Sequence, residues 1–176
     1  MRHLLWLGIV MVIMGCGYVP ASQYARNVLG EGVSTEVKVS MEDPQNTVLI
    51  KDAVDTAVIT KFRVNVTSKE NAQTHLTVRI LGVGFTPLRY DLNGYVSTYR
   101  ASVVLGIHRQ SSEKQQEYTA SGVYDFDIAA NAILSDQARF TAIQEGATKA
   151  LDGFIAQVAT EGVTADNDQS DHNGSY

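Results

Sequence analysis

The chain is short of the residues on which most chemistry depends. Its 176 residues include one cysteine, which cannot close an internal disulfide, and one thiol with four scattered histidines makes no structural zinc site. Charge is sparse as well. Only 19% of residues are charged, the net charge is -5 and no basic stretch offsets it, which argues against a general nucleic-acid binder. A phosphate-cradling glycine loop, a Gly-x-Ser-x-Gly elbow and a His-Glu-x-x-His run are all missing. "LGVGF" holds two glycines, but it lies inside a strand pattern with no helix behind it. Asp125 and Asp127 alternate with Phe126 and so share a strand face, where a solvated strand end explains them better than an acid pair. His75 and His108 fall on adjacent strands without a third ligand, so no metal and no cofactor is expected. These absences favour binding over catalysis.

A membrane-spanning apolar run is also missing at the N-terminus. Leu4 to Met14 is apolar but for Gly8 and only eleven residues long, whereas a spanning helix takes about twenty. Behind Met1-Arg2-His3 it reads as a secretion signal over residues 1–15. Ile13-Met14-Gly15-Cys16 then resembles the lipobox of bacterial lipoproteins, in which the signal is cut before a diacylated cysteine whose amino group is acylated in turn. Several acyl chains at about 0.8 kcal/mol per buried methylene anchor a protein firmly. Gly17 follows Cys16 in place of the aspartate that retains lipoproteins in the inner membrane, so an outer-membrane, periplasm-facing location is expected.

What is present is a pattern of strands and helices. Residues 16–32 show no clear period and read as a lipidated tether, residues 33–162 as one domain, and residues 163–176 as a disordered acidic tail. Thr35 to Met41 alternates as a strand, and the Ile50, Ala53, Val54, Ala57, Val58 stripe predicts a helix over 45–60, capped by Asp43 or Asn46. Phe62, Val64 and Val66 alternate briefly. Thr74–Tyr90 and Tyr95–Arg109 form a long hairpin about Asn93-Gly94, followed by a strand at Tyr118–Asp127. Ser135 is placed to cap a last helix whose stripe includes Ile143, Ala147, Leu151, Phe154 and Val158.

A two-residue Asn93-Gly94 turn would set Leu92 opposite Tyr95 and fix which residues share a face. One face then carries Ile80, Gly82 and Gly84 with Val103, Leu105 and Ile107. The other carries Leu81, Val83, Phe85 and Val104, with Arg79, Arg89 and Arg100 toward its ends. If the helices cover the first face, the second exposes an apolar band suited to a partner. Helices on opposite faces, or a bulge at Gly82 or Gly84 that shifts the register, would remove that band.

"CGY", "NGYVSTYRASVVLGI" and "SDQARFTAIQEGATKAL" resemble the LptE family of lipopolysaccharide-assembly lipoproteins over residues 16 to 160. "CGYVPASQYARNVLGEGVST", "YDLNGYVSTYR" and "GVYDFDI" are similar to its Campylobacter and Helicobacter branch. The resemblance implies an α+β two-layer sandwich, with two helices packed on one face of a largely antiparallel four-stranded sheet. It also implies a non-enzymatic plug and assembly partner of the LptD barrel, which carries lipopolysaccharide to the outer leaflet. Family members use basic side chains near the hairpin turn and before the last helix. Here the turn is Asp91-Leu92-Asn93-Gly94 and the helix opens Ser135-Asp136, so those residues do not transfer. Arg79, Arg89 and Arg100 stand in as candidate contacts for lipid A or inner-core phosphate, with Leu81, Val83, Phe85 and Val104 as the candidate partner surface. A different periplasmic lipoprotein, activating a peptidoglycan synthase, is the alternative.

Overall fold

A computed structural model describes residues 21–38, 44–61, 63–112, 114–129 and 132–173. The signal segment, Cys16, Met41, the Asp43 cap and Phe62 lie outside the described residues. Three helices, α1 (Ala21–Leu29), α2 (Pro44–Thr60) and α3 (Asp136–Asn173), accompany five strands. These are β1 (Gly32–Val37), β2 (Asn65–Val66), β3 (Thr74–Tyr90), β4 (Val96–Ser111) and β5 (Gln115–Asp127). The sheet order is β2-β1-β3-β4-β5.

The expected four antiparallel strands are therefore corrected to five of mixed direction. β1 runs parallel to both β2 and β3, while β3, β4 and β5 form an antiparallel meander. The cause lies in the connection: α2 returns the chain to the end where β1 began, so the next strands run in the same sense as β1. The expected pair of helices becomes three among the described residues, because residues 21–29, inside the stretch read as tether, form α1. Ala25 and Leu29 bury one side of this two-turn helix, and Gly30, at φ +79°, ends it by donating its N–H to Arg26 O. At the other end, α3 continues through the stretch read as a tail as far as Asn173.

All three helices share one core with the sheet, built around Leu76, Val103, Leu105 and Ile107 from the strands and Ile50, Val54 and Phe154 from the helices. Ser135 caps α3 as expected, its Oγ accepting from Ala138 N at 3.2 Å. α3 presses on β5 through glycine at both contacts: a Cβ on Gly122 would lie 2.1 Å from Gly146 O.

The hairpin register departs from the two-residue turn. Asp91 Oδ1 accepts from both Asn93 N and Tyr95 N at 2.9 Å, and Asp91 N donates to Tyr95 O at 2.7 Å. The carboxylate thus closes a three-residue loop with Gly94 at φ +84°, and Phe85 meets Ala101 where Ser102 was expected. A bulge between Ile80 and Gly82 shifts the pairing again, as the glycine pattern allowed. β4 keeps its expected faces, with Val103, Leu105 and Ile107 toward the helices. Beyond the bulge β3 is reversed, so Val83 and Phe85 pack on the core and Gly82 and Gly84 face away from it.

Candidate functional site

The sheet's second face is left uncovered by the described helices, and the alternation of β3, β4 and β5 decides what stands on it. Across the strands Glu36, Thr77, His108 and Glu117 form one row, and Thr86, Arg100 and Asp125 form another. Between them lies a trough of small residues, Gly82, Gly84, Ser102 and Ser121, beside an apolar patch of Leu81, Val104 and Val123. Nothing lies within 4 Å of a Cβ built on Gly82 or Gly84, so the trough is open, while Leu81 leans across Gly106.

The candidate partner residues therefore divide. Leu81 and Val104 stand on the uncovered face, with Leu81 54% exposed, whereas Val83 and Phe85 belong to the helix side. Phe85 meets Phe126 edge-on at 6.3 Å, Tyr99 and Tyr124 stack on Phe126 at 6.2 Å, and the Arg139 guanidinium lies 5.1 Å over Phe85. Past this cluster the hairpin tip exposes Leu88, Tyr90, Leu92 and Tyr95.

The three arginines also divide. Arg100 makes a two-pronged pair with Asp125, Nε to Oδ1 and Nη2 to Oδ2 both at 2.7 Å. That hydrogen bonding is the chief reason the Asp125 carboxyl is held below its ordinary pKa and Arg100 above its own. A lowered pKa suits an ion-pair partner rather than a general acid, and Asp127 accepts from Thr98 Oγ1 at 2.7 Å. Arg79 reaches Glu117 at 3.4 Å, and His108 Nδ1 lies 3.0 Å from the same carboxylate. Arg89 has no carboxylate within 4 Å among the described residues, and its charge adds to the lowering at Asp125.

Two further clusters escaped the sequence. Ser34 Oγ lies 2.7 Å from His75 Nδ1, with Glu36 3.4 Å from His75 Nε2, an order that superficially matches a nucleophilic triad. Ser34 is only 4% exposed and lies between paired strands, so the cluster ties β1 to β3 and offers no hydroxyl to a substrate. On the helix side Arg109, 3% exposed, bonds Glu161 at 2.9 Å and Val28 O at 3.4 Å, while Tyr118 OH donates to Glu161 at 2.7 Å. Burial first, then the bond to Glu161, pushes the Tyr118 hydroxyl well above its ordinary pKa. This network joins α1 and α3 to β4 and β5. Its signal would have been an arginine at a core position of an alternating strand.

Among the described residues no group of three metal-ligating side chains forms, and no helix is long and apolar enough to cross a membrane. Among curated protein sequences, none matches this chain. A candidate lipoprotein of known structure from Caulobacter crescentus is similar in fold, with a TM-score of 0.54 at 9% identity over 82% of this chain and 98% of its own. Rare lipoprotein B from Shewanella oneidensis aligns over 80% of this chain and 97% of its own at 11% identity, with a TM-score of 0.40. A minor lipoprotein from Acinetobacter baumannii aligns over 74% and 92% at 13% identity, with a TM-score of 0.42. The family model described as LptE, lipopolysaccharide-assembly, matches residues 35–158, and the chain belongs to that family.

Proposed function

We propose that this protein is a lipid-anchored outer-membrane plug and assembly partner of an LptD-like barrel, acting without enzymatic activity in lipopolysaccharide transport to the outer leaflet. The family is one of lipopolysaccharide-assembly proteins, which fits a binding role. The observation that carries the barrel partnership is the arrangement of layers: every described helix lies on one side of the sheet, and the other side presents an open small-residue trough beside Leu81, Val104 and Val123. A partner wall with projecting side chains fits such a surface, and the ion pairs at its two ends supply polar register.

Cys16 is the proposed site of acylation. Four residues separate it from α1, so the start of α1 stays within about 17 Å of Cys16. Of the proposed lipopolysaccharide contacts, Arg79 and Arg100 already serve Glu117 and Asp125, so Arg89 is the guanidinium available to phosphate. On the same reading the protein is a member of the Campylobacter and Helicobacter branch, which its sequence strings resemble.

The test is a gentle detergent pull-down of tagged protein from its own outer membrane, with Cys16→Ala as the mislocalised control and mass spectrometry as the readout. A near-stoichiometric LptD-like barrel is the expected companion, accompanied by loss of surface lipopolysaccharide on depletion. Recovery of a peptidoglycan synthase without a barrel, and normal lipopolysaccharide, would overturn the reading.

A further inference from the structure

Two runs of the sequence match the Asn-x-Ser/Thr pattern of N-glycan acceptors, Asn65-Val66-Thr67 and Asn173-Gly174-Ser175. The fold treats them oppositely. Asn65 and Val66 form β2, where Asn65 N donates to Glu31 O at 3.1 Å and Thr67 N to Val33 O at 3.0 Å. A run held in a ladder at both ends cannot bend into an enzyme's cleft without giving up those bonds.

Asn173 is the last residue of α3, and Gly174 and Ser175 lie outside the described residues. α3 starts beside the upper hairpin, with Arg139 over Phe85, and reaches the opposite end of the sheet at Glu161, which bonds Arg109. There it also meets α1, since a Cβ on Gly162 would lie 2.8 Å from Tyr24 O. Twelve residues lead from Glu161 to Asn173, so the helix axis runs about 18 Å further, away from the hairpin. The second run is thereby carried past the α1 end of the sheet.

The neighbouring charge separates the two runs as well. Asp171 stands two positions before Asn173, whereas Arg63 stands two positions before Asn65. A carboxylate there offers a basic side chain of a transferase a charge-assisted hydrogen bond, and the Ser175 hydroxyl offers a second point of recognition.

We infer that Asn173 is a site of N-linked glycosylation, taking an oligosaccharide from a polyprenyl diphosphate donor by way of a periplasmic transferase. The inference rests on the export that the proposed function requires. In the step, Asn173 Nδ2 bonds to the anomeric carbon of the first sugar. The bond from that carbon to the diphosphate oxygen breaks, the diphosphate leaves with its electron pair, and one amide proton passes to a base of the transferase. A glycan on this end of α3 leaves the trough at Gly82 and Gly84 free for the barrel.

The test is mass spectrometry of the full-length protein taken from its own membranes. No lysine or arginine follows Lys149, so trypsin leaves Asn173 on the peptide 150–176, and Cys16 on a separate one. The expected result is a set of sugar-sized mass increments on the peptide 150–176, absent from Asn173→Gln and Ser175→Ala and retained in Ser175→Thr. Asp171→Ala should lower the modified fraction at least tenfold, and Asn65→Gln should leave it unchanged. An unmodified peptide from protein whose Cys16 is acylated would overturn the site and leave the barrel reading standing. Protein with neither sugar nor acyl chain would overturn both. Increments that persist in Asn173→Gln would put the sugar elsewhere, and the assignment would fall.

Discussion

Two arginines of β4, nine residues apart and on opposite faces of the sheet, do opposite work. Arg100 faces solvent and spends its charge on Asp125, so each keeps the other ionised. In an Arg100→Ala protein the Asp125 carboxyl should titrate upward toward its ordinary range, measured by carboxyl carbon NMR. Since its folded pKa lies below the unfolded one, the pair favours the fold above the unfolded value and loses that contribution as pH falls through the folded value. The pair is exposed, so the change should be seen in the titration and hardly in the melting temperature. Arg109 is enclosed instead, and its loss would strip Glu161 of its buried counter-charge, leaving only the exposed Lys114 at 3.7 Å. Arg109→Met should cost about 3 kcal/mol in denaturant unfolding. It should also speed protease cleavage within α1, because the bond to Val28 O goes with it.

At the scale of elements, glycines set how closely layers approach. A Cβ on Gly122 would come within 2.4 Å of Ala150 N as well as meeting Gly146 O, and both obstacles are backbone. Gly122→Ala should therefore lift α3 from β5 and destabilise the fold by about 2–3 kcal/mol in the same unfolding assay, with β3 and β4 still paired. How much of the fold was legible follows the range of the forces involved. The α2 stripe, the Ser135 cap and the alternation of β4 are local patterns, and each appears where its period predicts. α1 was legible but was passed over: Tyr24, Ala25, Val28 and Leu29 recur at helical steps and pack on the core, within a stretch read as a tether. Strand direction was illegible at β1 because alternation is the same for parallel and antiparallel neighbours. The uncovered face was half legible. Leu81, Val104 and the three arginines were found by alternation, but the Asp91 loop and the bulge after Ile80 turned Val83 and Phe85 inward. Neither Arg109 nor His75 announced its partner, because Glu161 and Ser34 reach them across long sequence separations.

The whole molecule has two distinct ends. α1 is held beside Arg109, where β4 ends and β3 begins, and the hairpin tip at Leu92 lies some fourteen rungs further along, roughly 45 Å away. On the proposed lipidation at Cys16, the anchor belongs to the first end, and the uncovered face runs from there to the tip as the surface offered to a surrounding barrel. That arrangement makes a sharp demand on Gly84. It sits in the middle of the trough with nothing within 4 Å of a Cβ built on it, so a side chain added there starts into open space. Gly84→Arg should leave the melting temperature within a degree or two and reduce co-purification of the barrel at least tenfold, because a guanidinium would have to be buried unpaired against the partner wall. Ile59→Arg supplies the comparison: Ile59 is equally exposed, but it stands on α2, on the far side of the molecule. If the two substitutions weaken co-purification alike, the barrel does not read the uncovered face. If only Ile59→Arg does so, the helical layer is the partner surface, and the trough must serve something else.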